Sequence, residues 1–231
     1  VHPKPTVWNW QQIDDFITFS KNHNLQVRLH GPISPQASKW AKEDHRTIEE
    51  LETNMIEFTT AFAKKFNKEP TVKWMDVVNE TILPNGKWFG PKRGTNKWEN
   101  PWLKIGLDAN GFPLYILKAF EIATKYATNI KLVYNHNAGL ESVMWDKVKK
   151  TILYIRSKGY RVDGIGWQAH IGLSASTKAI LENTDEELRK LSDLIDWAHK
   201  NNLEFHITEL DYFVKDNNKL SEEYQKQAEI Y

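Results

Sequence analysis

A chain of 231 residues, 40% hydrophobic and 26% charged, has room for a sizeable core and is too apolar to be disordered. A formal charge of +1 gives no electrostatic reason to expect nucleic acid or an anionic membrane as partner, and no apolar run approaches the roughly 20 residues of a membrane span. There is no cysteine, which excludes disulfides and thiolate metal sites.

In chain order, residues 8–23 carry Trp8, Trp10, Ile13, Phe16 and Ile17 at helical spacing, and 25–30 alternate like a strand stopped by Gly31-Pro32. Thr47 with Glu50 forms a capping-box pattern, and the stripe Ile48, Leu51, Met55, Phe58, Phe62, Phe66 predicts a helix over 47–66. Next comes 73–80, a short apolar run with two valines that ends abruptly at Asn79-Glu80. That is how a buried parallel strand reads when its carboxyl end opens into a site. The connection 83–108 holds four glycines and three prolines, and a loop of that length tends to be functional.

Helix 114–126 then leads to strand 130–135, and helix 142–156 leads to strand 162–168. A helix capped by Thr184 with Glu187 leads to a strand over 204–211, and a last helix begins near Ser221. No repeat, low-complexity segment or linker interrupts this. Strands alternating with helices mean parallel βαβ units, so 1–231 reads as one α/β domain with five strands and six helices. A doubly wound sheet fits that count, whereas a β/α barrel requires strands beyond these five. Periodicity does not choose between them.

Each strand ends in polar residues: His30; Asn79 and Glu80; Asn135 to Asn137; Gln168 and His170; Glu209 and Asp211. A single strand-end Glu is ordinary, but five consecutive polar strand ends describe the carboxyl face of a barrel. Glu80 and Glu209 are the candidate catalytic pair. His30, His136, His170, His206, Glu209 and Asp211 offer metal ligands, but no HxH or HExxH spacing occurs, and His206 and Glu209, three apart in a strand, point to opposite faces. Phosphate-binding glycine loops and a GxSxG elbow are also missing. Ten tryptophans allow either an indole-rich core or faces for stacking sugar rings, and Trp88, Trp98 and Trp102 in the long loop favour the second.

The same residues carry a resemblance to glycoside hydrolase family 10, the endo-β-1,4-xylanase family. Asp76-Val77-Val78-Asn79-Glu80 is similar to its acid/base motif and Ile207-Thr208-Glu209-Leu210-Asp211 to its nucleophile motif. Residues 163–170 resemble its sixth strand, Arg28 and His30 its third, and Pro101-Trp102 with Ile105-Gly106 the loop after the acid/base. The resemblance implies a (β/α)8 TIM barrel and a retaining endo-acting mechanism on β-1,4-xylan or a related xylose-containing polysaccharide. Glu209 would be the nucleophile and Glu80 the acid/base, with His170 and Asp211 in support. Asn79, His30, Gln168, Asn135, Trp40, Trp88 and Trp102 would bind substrate, with the loop 87–102 on the leaving-group side. It implies no metal or organic cofactor, a monomer, and an extracellular or periplasmic setting.

Three departures stand out. The family run HTLVWHSQ reads His30-Gly31-Pro32-Ile33-Ser34-Pro35-Gln36, which lacks its Trp-His pair. NDYN reads Asn135-His136-Asn137-Ala138, and Met75 replaces the Trp before the motif's Asp, with Trp74 one place earlier. The substrate is therefore expected to differ from plain xylan. Strands one, two and eight of the family barrel have no counterpart, and Val1 is not an initiator Met, so the chain reads as an excerpt of a longer protein. The alternatives are an inactive glycan-binding barrel, or a retaining glycosidase or transglycosylase on another β-glycan.

Overall fold

The computed structural model describes residues 1–93, 98–214 and 219–230. Five parallel strands form one sheet: β1 (Val27–Leu29), β2 (Val72–Asn79), β3 (Lys131–His136), β4 (Gly164–Trp167) and β6 (Glu204–Ile207). Their order across the sheet is their order in the chain. A doubly wound sheet reverses direction at a switch point; strands laid down strictly in succession are the winding of a barrel. Since closure takes eight strands, the described residues build an incomplete (β/α)8 barrel.

Helices cover the outer face. Helix α3 (Ile48–Phe66) begins at Thr47, whose hydroxyl accepts the Glu50 N–H while the Glu50 carboxylate accepts the Thr47 N–H. From there Leu51, Met55, Phe62 and Phe66 run down its buried face at helical spacing, although Ile48, predicted on that stripe, is half exposed. Helices α4 (Leu114–Tyr126) and α5 (Ser142–Ser157) bury their apolar stripes in the same core, which continues across the sheet through Met75, Leu132 and Ile165.

The predicted elements need four corrections. Helix α1 is shorter than 8–23, at Gln11–Asn22: Trp8 and Trp10 precede it and stack on each other at 5.0 Å, while Phe16 faces outward. A short helix α2 (Lys39–Lys42) follows β1, and the connection 83–108 contains a 3-10 turn, Pro101–Ile105. The helix assigned to Thr184 is preceded by another, α6 (Ala175–Glu182), opened by a Ser174–Thr177 capping box. The Thr184 hydroxyl donates back to the Ile180 carbonyl instead of capping α7 (Thr184–Lys200). The strand predicted over 162–168 is shortened to β4, and the one predicted over 204–211 is broken. Ala169 takes a left-handed φ of 59° and separates β4 from the two-residue β5 (His170–Ile171), which pairs with β7 (Asp211–Tyr212). Glu209 therefore sits in the gap between β6 and β7. The chain closes with α8 (Leu220–Ile230).

Candidate active site

The polar strand ends converge at the carboxyl edge of the sheet. Asn79 is the last residue of β2, and Glu80 follows it in a left-handed turn (φ 52°), with its N–H donated to the Asn135 carbonyl of β3 at 3.3 Å. A left-handed non-glycine residue costs about 1–2 kcal/mol, and such outliers cluster where function demands a particular aim. The turn brings the Glu80 carboxyl under two amides: Oε1 accepts from Asn79 Nδ2 at 3.1 Å and Gln168 Nε2 at 3.0 Å. Its other oxygen is buried and has no hydrogen-bond partner among the described residues. Burial pushes the Glu80 pKa up, against the pull of the two amides, and the charge of Glu209 adds to the rise.

Glu209 is more open. Its Oε1 accepts from Asn135 Nδ2 at 3.1 Å, and its Oε2 lies 3.3 Å from His170 Nε2. His170 is held from behind, its Nδ1 2.9 Å from Asp211 Oδ2. The two glutamates are joined by amides. Asn79 Oδ1 accepts from Gln168 at 2.9 Å and from Asn135 at 3.1 Å, so one oxygen collects both neighbours that also donate to the carboxylates. Thr208 Oγ donates to Asn135 Oδ1 at 2.9 Å, which turns that amide's NH2 toward Glu209 and Asn79.

Beneath this layer, buried Asp76 accepts from Arg28 through Nε and Nη2 and from His30 Nδ1 at 3.2 Å. That hydrogen bond raises the His30 pKa, helped by the charges of Glu209 and Glu80. His30 Nδ1 is also 3.5 Å from Glu209 Oε1, so one ring bridges the buried charge and the open one.

The structure thus brings Glu80, Glu209, His170, Asp211, Asn79, His30, Gln168 and Asn135 together, but not all of the proposed sugar-stacking indoles. Trp102 is 3% exposed, with its N–H donated to the Ser34 carbonyl, so it packs under the segment that follows β1. Trp88 lies in a separate groove with Asn110 and Phe112; its N–H goes to the Gly111 carbonyl and Lys147 Nζ sits 4.0 Å from its ring centre. Trp40 has the Arg46 guanidinium 4.4 Å from its ring. The loop indole that does look toward the site is Trp98, half exposed, across a groove of about 480 Å3 from His170 and Asn137. Residues 94–97 of that loop lie outside the described residues.

Two contributors escaped the sequence reading. Thr208 looks like a strand residue, and only the fold reveals its amide partner. Gly166 lies against Asn135: a methyl built on it would meet Asn135 Oδ1 at 2.4 Å. A glycine inside a strand pattern is the signal for such close approach.

His136, at the end of β3, is fully buried. Its Nδ1–H donates to the Asn137 carbonyl and its Nε2 accepts the Ile82 N–H at 3.1 Å. Desolvation pushes its pKa from the ordinary 6.5 down to about 4. The unfolded chain takes up that proton first, so the ring's contribution to stability is full above pH 6.5 and drains away as pH falls toward 4, by up to about 3 kcal/mol. The thermal midpoint of the wild type is therefore expected to fall more steeply between pH 6.5 and 4.5 than that of His136→Gln, whose amide does not titrate. Parallel curves in differential scanning calorimetry would contradict this.

Residues 1–231 match the family model "Glycosyl hydrolase family 10". The chain belongs to that family. Among its relatives, "Endo-1,4-beta-xylanase A" of Thermoanaerobacterium saccharolyticum is 29% identical over 99% of this chain and 19% of its own length. "Exoglucanase XynX" of Acetivibrio thermocellus is 28% identical over 99% of this chain and 20% of its own. The crystal structure of xylanase 10B from Thermotoga maritima superposes on the whole chain with a TM-score of 0.74, at 25% identity, over 64% of that protein. This chain therefore spans about a fifth of those two relatives and under two thirds of the solved barrel.

Proposed function

We propose that residues 1–231 are one catalytic domain, or the part of one that carries both catalytic carboxylates, and that the protein is a retaining endo-acting β-glycanase. The observation that carries this reading is the asymmetric environment of the two glutamates. Glu80 is buried with a raised pKa, Glu209 is open and backed by His170, and the amides of Asn79, Asn135 and Gln168 link them. Two carboxyls whose surroundings differ in this way can divide acid and nucleophile roles.

In the first step Glu209 attacks the anomeric carbon as the glycosidic C–O bond breaks, and Glu80 passes its proton to the departing oxygen. The product is a glycosyl ester on Glu209. Consuming the Glu209 charge lowers the Glu80 pKa, so Glu80 then takes a proton from water, which attacks the same carbon and frees Glu209. His170 and Asp211 hold the nucleophile's orientation. Asn79 and Asn135 reach the sugar's 2-OH region, and His30 and Gln168 line the same subsite. The general acid must be protonated, so activity falls as pH rises through the Glu80 pKa. The alkaline limb of kcat/KM, which reports the free enzyme, is expected above the ordinary glutamate range and absent from the residual activity of Glu80→Gln on an activated aryl glycoside; an unchanged limb in that variant would assign it elsewhere.

β-1,4-Xylan or a related xylose-containing polysaccharide is the favoured substrate, in line with the names of the relatives. Ser34-Pro35, in place of the family's Trp-His, favours a decorated polymer. Such a substrate lies outside cells, which suggests an extracellular or periplasmic, monomeric enzyme; among the described residues no helix is long and apolar enough to cross a membrane. The test is reducing-end release from a panel of plain and decorated xylans and glucans. Cleavage of xylose polymers with mid-chain products supports the proposal. Binding without cleavage of any member overturns it in favour of a glycan-binding barrel.

A further inference from the structure

Once β2 ends, three consecutive residues of β3 take hold of the three residues that follow it. The Asn135 carbonyl accepts the Glu80 N–H, the Tyr134 hydroxyl pairs with Thr81 Oγ, and His136 Nε2 accepts the Ile82 N–H. Thr81, Tyr134 and His136 are fully buried, and Ile82 is nearly so. The arrangement answers a local need. The left-handed turn at Glu80 takes Thr81 and Ile82 off the sheet ladder, and a buried backbone N–H left without an acceptor is costly. A histidine suits the position because one nitrogen donates to Asn137 while the other keeps its lone pair for Ile82. Trp145 of α5 packs edge-on against the ring at 5.9 Å.

We propose that His136 is a positioning residue for Glu80: by accepting the Ile82 N–H it holds, together with Tyr134 and Asn135, the left-handed turn that aims the Glu80 carboxyl at its partners. The lone pair it needs is present throughout the neutral range, because burial keeps the ring unprotonated down to about pH 4. Among the described residues, no charged side chain contributes to that shift. The role rests on the reading of Glu80 as the acid/base, and the test separates the two.

The experiment compares wild type, His136→Gln and His136→Leu. Glutamine carries an acceptor to the Nε2 position, whereas leucine fills the space without one. Tyr134→Phe, which removes a single hydroxyl, reads the same clamp at Thr81 if the leucine variant does not fold. Each protein is assayed on phenyl β-xylobioside, whose departure needs a proton, and on the 2,4-dinitrophenyl analogue, whose departure does not. A misaimed acid lowers kcat/KM, which reports the first step alone, by about 10- to 100-fold on the first substrate, leaves kcat/KM on the second nearly unchanged, and is rescued by glutamine. Equal losses of kcat/KM on both substrates, or no loss, overturn the proposal. If the wild type cleaves neither, the glycosidase reading fails and the clamp is judged by carbon-13 NMR titration of the Glu80 carboxyl. Its midpoint is expected to stay raised in wild type and His136→Gln and to fall toward the ordinary value in His136→Leu or Tyr134→Phe; an identical midpoint in every protein overturns the clamp.

Discussion

Glu209→Ala is expected to lower turnover of an aryl β-xylobioside by at least about 10⁴-fold, the scale seen when a covalent catalyst loses its nucleophile. The residues around Glu209 make the prediction sharp. Asn135 and His170 hold one oxygen each, and Asp211 holds His170, so the contacts of all three converge on the Glu209 carboxylate. Alanine leaves a space the size of a carboxyl group on the open side of the site, and azide fits it. Added azide is expected to restore aryl release and give the α-glycosyl azide, because the small anion attacks from the face Glu209 occupied. A β-azide, or a variant that keeps more than a small fraction of wild-type turnover, would assign the nucleophile to another residue.

Gly166→Ala carries the second large effect, although the substitution adds only one methyl and touches neither glutamate. That methyl would stand 2.4 Å from Asn135 Oδ1 and 2.8 Å from the Thr208 methyl, both on short side chains fixed by their own hydrogen bonds. The backbone of Gly166 is not left-handed, so the conflict is purely one of space. Overpacking of this kind costs about 1–3 kcal/mol. The side chain that must yield is Asn135, which holds Glu209 and Asn79 in place, so kcat is expected to fall together with the melting temperature. Gly164→Ala is the internal comparison. Its methyl meets the Glu204 carbonyl at 3.2 Å and the His206 ring at 3.3 Å, two strand positions below the site. Denaturant unfolding is expected to show a smaller loss for Gly164→Ala and steady-state kinetics little change in kcat. Similar losses for the two alanine variants would mean that Asn135 is not the sensitive group.

The polar groups of the candidate site were legible in the sequence because each lies where a strand ends in polar residues, after a buried run in β2, β3 and β4 and a half-buried one in β6. That change exposes Glu80, Asn135, Gln168 and Glu209 without any knowledge of packing, and the mouth of the sheet collects them. The winding of the barrel was not legible in the alternation of strands and helices, which fits two topologies; the motif resemblance implied it, and the strand order bears it out. The setting of the loop tryptophans was not legible for a related reason. Composition locates an indole in a loop, but whether its face meets solvent or core is decided by distant residues: Ser34 for Trp102, Lys147 and Gly111 for Trp88. His136 read as a departure from a pattern. Its neutral ring and its grip on Ile82 follow from burial that no local pattern of residues announces. The break between β4 and β5 turns on one alanine in a left-handed conformation, a choice that alanine does not advertise.

Intact-mass measurement after incubation with a 2,4-dinitrophenyl 2-deoxy-2-fluoro-β-xylobioside decides whether Glu209 forms a covalent glycosyl ester during turnover. The fluorine slows both formation and hydrolysis of the ester, and the dinitrophenolate leaving group keeps formation the faster of the two, so the intermediate accumulates. The account predicts one added glycosyl unit per protein, located by peptide fragmentation on Glu209 and lost in Glu209→Ala. An enzyme that turns over xylan with inversion of the anomeric centre and gains no mass, or one whose label sits on a different residue, would contradict it.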